Sequence, residues 1–158
     1  MIKFLNITQI LFFCLFFLSI STNGQNGFHF KNNKHKTEQI SFQLINNLMV
    51  IPLKINGVEL SFILDTGSDK TILFNLYAND SVGLKDPKHL KLRGLGVGEP
   101  IDALISKKNR VEIKGIQNNN ETVFVILKDF FDLSSKMGTT IHGIIGYSFF
   151  KNFVVNIN

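Results

Sequence analysis

Apolar positions in the middle of the chain follow strand-like patterns. In "ISFQLINNLMVIPLKI" and "VELSFILD" they alternate with polar positions or form short runs rich in β-branched and aromatic side chains. Asn56 and Gly57 separate the two runs, and an Asn-Gly pair in this place is the strongest short-range hairpin signal. We therefore predict that residues 48–55 and 58–65 pair as antiparallel strands, with Asp65 at the end of the second.

Further short strands are predicted downstream. "TILFNLYAND" indicates a strand and then a loop, "NRVEIKGI" and "ETVFVILKDF" indicate two strands around a polar "QNNNE" turn, and "FVVNIN" indicates a last strand. "IIGYSFFKNF" contains one or two helical turns. In the absence of a repeat or a long helical pattern, we predict a single all-β domain.

Three glycines alternate in "KLRGLGVGEPIDALI", between two runs that are predicted strands. This arrangement is typical of a mobile hairpin tip, because glycine adopts backbone conformations that other residues resist. A phosphate-binding loop is the competing interpretation. It fails because G-x-G-x-G is not the dinucleotide fingerprint and because no helical pattern follows.

The N-terminus has the organisation of an export signal. Lys3 precedes the apolar run "ILFFCLFFLSI", which is shorter than the roughly 20 residues needed to cross a bilayer. The small and polar stretch "STNGQNG" follows, with candidate cleavage sites after Ser21 or Gly24. We expect a signal peptide over residues 1–24, with an uncleaved anchor as the alternative. The protein would then be exported to the periplasm, the cell envelope or the medium, and would meet the membrane only through this signal.

Residues 25–40 are polar and without a clear period, which predicts a flexible leader before a domain over residues 41–158. His29 and His35 fall in this leader, where solvated loop histidines are favoured over a two-histidine metal site. Cys14, the one cysteine, lies in the apolar run of the signal, so the mature chain would have no disulfide, catalytic thiol or thiolate metal site.

Length and net charge limit the number of domains and the classes of partner. The 158 residues suffice for one domain. The net charge of +5 comes from scattered Lys and Arg residues rather than a basic stripe, so we expect no nucleic-acid partner.

The tripeptide Asp65-Thr66-Gly67 is the candidate site. A carboxylate at the end of an apolar strand is costly unless it is paired, hydrogen-bonded or protonated. The simple interpretation is a capped turn, in which side-chain oxygens accept nearby backbone N–H groups. The hairpin before the tripeptide and the downstream Ile-Ile-Gly favour a functional site instead.

These residues resemble the retropepsin-like aspartic proteases, and more specifically the exported bacterial aspartyl-protease family proteins, over about residues 41–158. "LDTGSDKTIL" is similar to the active-site motif of the retroviral enzymes. "GIIGYSFF" looks like the segment behind the active-site loop with its short helix, and "RGLGVGEPI" falls where the family has its flap. The fold implied is a closed barrel of short antiparallel strands with one short helix near the C-terminus.

The resemblance implies a mechanism with two aspartates that share one proton and activate a water molecule, without metal or cofactor. The chain has a single Asp-Thr-Gly, so the second aspartate would come from another copy in a two-fold homodimer. The implied site residues are catalytic Asp65; loop residues Thr66, Gly67 and Ser68; substrate-binding Asp69, Gly94, Leu95 and Gly96; and supporting Ile144, Ile145 and Gly146. The substrate would be an extended peptide or protein segment, held like an added strand.

Two departures from the family pattern stand out. Tyr147 occupies the place of an arginine that usually braces the aspartate matching Asp69, so either the loop is braced differently or the dimer interface is altered. "FVVNIN" stops where the family strand continues, which leaves open whether the domain is complete at its C-terminus. His142 could tune the site, although a structural histidine is the favoured interpretation.

Three functions therefore compete. The first is an aspartic endopeptidase. The second is a non-catalytic peptide-binding or assembly module of the same fold in the cell envelope. The third is a small β-barrel carrier for an apolar ligand, which would leave "DTGSDKT" unexplained.

Overall fold

The structure, a computed structural model, describes residues 27–74, 82–93, 100–128 and 132–158. The predicted signal peptide and the glycine-rich tip with Gly94, Leu95 and Gly96 lie outside the described residues. The described strands are β1 (His29–Phe30), β2 (Gln43–Ile45), β3 (Leu48–Ile55), β4 (Val58–Leu64), β5 (Thr71–Leu73), β6 (Lys88–Leu92), β7 (Ile101–Ile113), β8 (Ile116–Ile126) and β9 (Gly143–Ile145). The described helices are α1 (Leu133–Met137) and α2 (Tyr147–Phe150). Neither helix has the length and apolar character needed to span a membrane.

The β3–β4 hairpin forms as predicted. The two strands are antiparallel, and Ile55 pairs with Val58 across a two-residue turn. Asn56 and Gly57 have φ angles of 51° and 94°, and positive values at both central residues suit the twist of a tight hairpin. Asp65 follows directly after β4.

Hydrogen-bonded pairs connect six strands into a ring. Around it the order is β8, β5, β9, β4, β3 and β7, and β7 pairs with β8 to complete the circuit. The all-β class is therefore confirmed. Two of the pairs, β4–β9 and β5–β8, are parallel, whereas the other pairs in the ring are antiparallel as expected. The remaining strands are attached to this ring: β1 to β8, β2 to β3 and β6 to β7.

Two apolar clusters cover the opposite faces of the central strands. Phe62 belongs to one cluster and its neighbour Ile63 to the other, because successive side chains of a strand point to opposite faces. Leu73 and Phe74 divide between the clusters in the same way. Strands that are buried on both sides need continuous apolar sequence, which explains the unbroken runs "FIL" and "ILF" on either side of the Asp65 loop.

The turn between β7 and β8 lies at Lys114 and Gly115, so the predicted turn at "QNNNE" is wrong. That polar stretch continues β8 instead. Asn118 and Glu121 within it are 3% and 6% exposed. Their side chains hydrogen-bond to each other, with Asn118 Nδ2 donating to Glu121 Oε2 at 2.5 Å, which makes their burial tolerable.

Part of the stretch predicted as a flexible leader packs on the domain. Phe28 is buried, and its ring meets that of Phe149 edge-on at a centroid distance of 5.5 Å. Lys31 Nζ lies 2.5 Å from Glu112 Oε1, on β7. This hydrogen bond from Lys31, with the nearby charges of Lys31 and Arg110, lowers the pKa of Glu112 against the opposing effect of its burial. The leader thus has both an apolar and an ionic attachment.

The C-terminal region differs from its prediction in one respect. The short helix expected after Ile-Ile-Gly is present as α2. The strand predicted for "FVVNIN" is absent, because residues 154–158 pair with no strand among the described residues. Val154 and Ile157 are exposed there.

Candidate active site

β9 lies between β4 and β5 and joins the two strands that flank the Asp65 loop. Ile144 pairs with Ile63 in the parallel direction and with Ile72 in the antiparallel direction. The approach is so close that a Cβ at Gly143 would overlap the carbonyl oxygen of Ile72 and lie 2.5 Å from the Phe62 ring. Only glycine fits this position without displacing its neighbours.

Asp65 is held by its backbone and by a local turn. Its N–H donates to the carbonyl oxygen of Ile145 at 3.0 Å, which extends the β4–β9 ladder by one bond. Its Oδ1 accepts the N–H of Gly67 at 2.8 Å, the contact of an Asx turn. This is the capped turn of the simpler interpretation, but it occupies only one carboxylate oxygen.

Asp65, Thr66 and Gly67 are solvent-exposed in the single chain. Oδ2 of Asp65 and the hydroxyl of Thr66 form no hydrogen bond with any residue that the structure describes. The apolar strand before Asp65 therefore delivers the carboxylate to a surface rather than into the interior of its own chain.

Gly146 and Tyr147 support the loop from behind. A Cβ on Gly146 would overlap the carbonyl oxygen of Ser68 and lie 2.6 Å from that of Asp65. The N–H of Tyr147 donates to the Ser68 carbonyl oxygen at 2.7 Å. The structure thus brings Ile145 and Gly146 against the Asp65 loop and places Ile144 between the flanking strands.

Asp69 lacks the brace that an arginine would supply. It is exposed, and its Oδ2 accepts a hydrogen bond from Lys70 Nζ at 3.0 Å. An ion pair this exposed contributes little to rigidity. Tyr147, in the place of the arginine, is 58% exposed. Among the described residues, the pair with Lys70 is therefore the one ionic contact of Asp69.

A buried hydrogen-bond network behind the loop was not predicted. Thr71 Oγ1 donates to Glu121 Oε1 at 2.6 Å, and Ser148 Oγ donates to the same oxygen at 2.9 Å. Thr71 is fully buried. The sequence did contain a signal for Glu121: it shares the inward-facing series of β8 with Val123 and Val125, where an acidic residue needs a partner.

His142 has structural contacts. Its N–H donates to the carbonyl oxygen of Ser61 at 2.8 Å, and its Nδ1 accepts the N–H of Ser61 at 3.1 Å. The carbonyl oxygen of His142 accepts the N–H of Phe74 at 2.7 Å. These contacts tie the approach to β9 to both flanking strands and support the structural interpretation.

No cluster of three potential metal ligands occurs among the described residues. Within the leader, His29 Nε2 lies 3.3 Å from Gln117 Nε2 and its Nδ1 lies 3.1 Å from the Gly27 carbonyl oxygen. His35 is exposed.

An open cleft of about 510 Å³ adjoins the loop, and Asp65 is not among its lining residues. Asp69, Lys70 and Thr71 border it from the loop, and Glu121 and Ser148 border it from behind. Lys70 Nζ also lies 5.5 Å from the centre of the Phe124 ring, at the cleft wall. The cleft therefore adjoins the candidate substrate-binding residue Asp69 and the buried network.

A family model described as aspartyl protease matches residues 51–149. This range begins in β3, includes Asp65 and the whole ring of strands that follows, and ends in α2. No curated protein matches the chain.

Proposed function

Because the chain belongs to the aspartyl protease family, we propose that it is an aspartic endopeptidase. It hydrolyses peptide bonds with a water molecule activated between two aspartates, one Asp65 from each subunit of a homodimer. The substrate is an extended segment of a peptide or protein, and no metal or cofactor takes part. The protein acts after export, in the periplasm, the cell envelope or the medium.

The observation that carries this proposal is the presentation of Asp65. The carboxylate stands exposed at a rigid strand end, with Asp65 N–H bonded to Ile145 and Oδ2 unbonded within the described residues. The chain contains a single Asp-Thr-Gly. The second carboxylate therefore comes most simply from a second Asp65 across a two-fold axis.

The mechanism of hydrolysis follows from the pairing of the two Asp65 carboxylates. Two carboxylates about 3 Å apart do not both ionise, so the dyad holds one proton. The ionised aspartate removes a proton from water, while the protonated one donates to the carbonyl oxygen of the scissile bond. The resulting tetrahedral intermediate collapses when the leaving nitrogen takes the proton that the first aspartate removed from water, the other aspartate regains a proton from the intermediate's hydroxyl, and the C–N bond breaks. Water is the nucleophile throughout, so no acyl-enzyme forms.

The other site residues have supporting roles in this proposal. Asp69 accepts a backbone N–H of the substrate, which lies as an added strand. Gly94, Leu95 and Gly96 cover the substrate from the flap, whose flanking strands β6 and β7 pair from Leu92 and Ile101. The exposed Thr66 bonds across to the second subunit, and Gly67 allows the two loops to approach.

The second candidate is a non-catalytic peptide-binding or assembly module in the cell envelope. Tyr147 in place of the bracing arginine favours it, because a loop without that brace could hold a peptide without aligning two carboxylates. The two functions differ in whether Asp65 meets a second Asp65.

The test compares wild type with Asp65→Asn and Asp86→Asn. Asp86 is a matched control, an exposed acid in a loose surface pair with Lys88 at 3.6 Å. We expect Asp65→Asn to reduce peptide cleavage by about 10²-fold or more while circular dichroism and sedimentation stay unchanged. We expect Asp86→Asn to cleave like wild type.

Mixed dimers sharpen the test. Titration of wild type with excess Asp65→Asn should suppress cleavage through inactive mixed dimers, and excess Asp86→Asn should not. Undiminished cleavage by folded Asp65→Asn would remove the proposal. A wild type that binds extended peptides without cutting them would establish the second candidate instead.

A further inference from the structure

We propose that Glu121 is a positioning residue for the Asp65 loop. Its carboxylate joins Thr71, where the loop re-enters the sheet, to Ser148, behind the loop, and so replaces the missing ionic brace. The proposal rests on the proposed function in so far as it predicts an effect on cleavage, and it also makes a prediction about the loop that needs no cleavage.

Glu121 is a buried carboxylate surrounded by neutral donors. It is 6% exposed, and the described residues supply it with no ion pair. Oε1 accepts from Thr71 and Ser148, and Oε2 accepts from Asn118. Three donors suit an ionised carboxylate, which only accepts hydrogen bonds, and such charge-assisted bonds are among the strongest in proteins.

Thr71 and Ser148, which both donate to Oε1, lie on different sides of the Asp65 loop. Thr71 begins β5, directly after the loop. Ser148 lies in α2, two positions after Gly146, where an added Cβ would overlap the carbonyl oxygen of Ser68 and lie 2.6 Å from that of Asp65. The hydroxyls of Thr71 and Ser148 are also only 3.4 Å apart. Glu121 thus holds a fixed separation between the exit of the loop and the segment behind it.

The two oxygens of Glu121 face different partners, so variants can separate their roles. Gln at position 121 keeps Oε1 as the acceptor for both hydroxyls but turns an NH₂ toward the NH₂ of Asn118. Rotation of the Asn118 amide would break the bond in which its Oδ1 accepts the N–H of Asn120 at 2.9 Å. We therefore expect Glu121→Gln to lose stability but to retain the tie to the loop.

The kinetic experiment uses the full chain with Glu121→Leu, Glu121→Gln and Thr71→Val. We expect Glu121→Leu and Thr71→Val to lower kcat by about 10-fold or more with KM within about 2-fold, because a small misplacement of catalytic groups is costly. We expect Glu121→Gln to stay within about 3-fold of wild-type kcat. If kcat falls in Glu121→Leu but is retained in Glu121→Gln, the effect depends on the hydrogen bonds to Oε1 and not only on the volume of the side chain.

Glu112→Gln and Glu112→Leu are the matched controls. Glu112 is also a largely buried β-strand carboxylate, but its partners are Lys31 and Arg110, away from the loop. Both controls should keep kcat unchanged even where they lower stability. Equal loss of kcat in the Glu112 and Glu121 variants would overturn the proposal.

Amide hydrogen exchange provides the readout that does not depend on cleavage. In Glu121→Leu and Thr71→Val, exchange at Asp65 and Tyr147, whose N–H groups bond to Ile145 and Ser68, should accelerate by about 10-fold or more. Exchange in the β3–β4 hairpin should not change. If wild type cleaves nothing but this local acceleration occurs, the proposed function fails and the positioning role stands.

Uniform acceleration over the whole chain, or unchanged exchange at Asp65 and Tyr147, would overturn the role of Glu121. If Glu121→Leu does not fold, Thr71→Val and Glu121→Gln decide the question, since Val at position 71 retains the shape of the threonine.

Discussion

The N–H of Asp65 donates to the carbonyl oxygen of Ile145 at 3.0 Å, directly beyond the pairing of Leu64 with Ile145. The candidate catalytic residue is therefore placed by a ladder that joins the first half of the chain to its C-terminal part. Its position depends on how closely β9 and Gly146 can approach the loop. Glycine is required there for reasons of space, because a Cβ at position 146 would overlap the Ser68 carbonyl oxygen and lie 2.6 Å from that of Asp65.

Gly146→Ala should disrupt the loop. The new methyl group would overlap the Ser68 carbonyl oxygen, a backbone atom that cannot move alone. We expect a loss of about 2–3 kcal/mol in unfolding free energy and loss of cleavage, measured by urea denaturation and a peptide assay. Gly115→Ala is the control, because its methyl group would meet only the flexible end of Glu38. Equal stability of the two variants would contradict this view of the loop.

Phe28→Ala should detach the leader. Phe28 is 3% exposed and packs edge-on against Phe149, so we expect a loss of about 3 kcal/mol and faster proteolysis near residue 30. Phe42→Ala is the matched control, since Phe42 is 37% exposed and should lose less than about 1 kcal/mol. A leader that behaves as a free segment would give small and similar losses for both.

Glu112 should make stability depend on pH in the acidic range. The Lys31 hydrogen bond and the neighbouring charges lower its pKa from 4.5 in the folded chain. Its contribution is therefore complete above the unfolded value and is lost as the pH falls through the lower folded value. The urea midpoint of wild type should fall more steeply than that of Glu112→Gln between about pH 6 and about pH 3. Parallel curves for the two proteins would exclude this contribution.

Asn56→Ala should destabilise the first hairpin more than an ordinary turn substitution. Asn56 has a φ of 51°, and its side chain donates to Asn109 Oδ1 at 2.9 Å and accepts the N–H of Arg110 at 2.9 Å. We expect a loss of about 2–3 kcal/mol by denaturation. Asn47→Ala, at a φ of 63° in the β2–β3 turn, has the same strain and should lose about 1 kcal/mol. Similar losses would mean that the side-chain bonds of Asn56 contribute little.

Predictions from the sequence were correct for elements that neighbouring residues determine and wrong for elements that depend on residues far away in the chain. The Asn56-Gly57 turn, the apolar strand before Asp65 and the short helix after Gly146 all follow from neighbouring residues. The polarity of the stretch from Gln117 to Glu121 predicts a turn. The stretch is a strand because Thr71 and Ser148, far away in sequence, satisfy Glu121.

Distant partners also decide the structure of the leader and of the C-terminal end. Phe28 stands in a polar stretch, and its partner Phe149 lies near the other end of the chain. The apolar residues of "FVVNIN" suggested a strand, but strand formation also needs a free edge within reach. Local composition shows neither whether Phe28 has a distant aromatic partner nor whether a sheet edge is free near the C-terminal end.

The insertion of β9 between β4 and β5 has a consequence for biosynthesis. A nascent chain emerging from the ribosome exposes the Asp-Thr-Gly segment long before Gly143–Gly146 leaves the exit tunnel. Until then, Asp65 has no Ile145 carbonyl to bond and Ser68 has no Tyr147 amide. Translation that halts between the two segments would leave Asp65 on a loop without these two hydrogen bonds, so the loop can take its folded position only after residues 143–147 have been made.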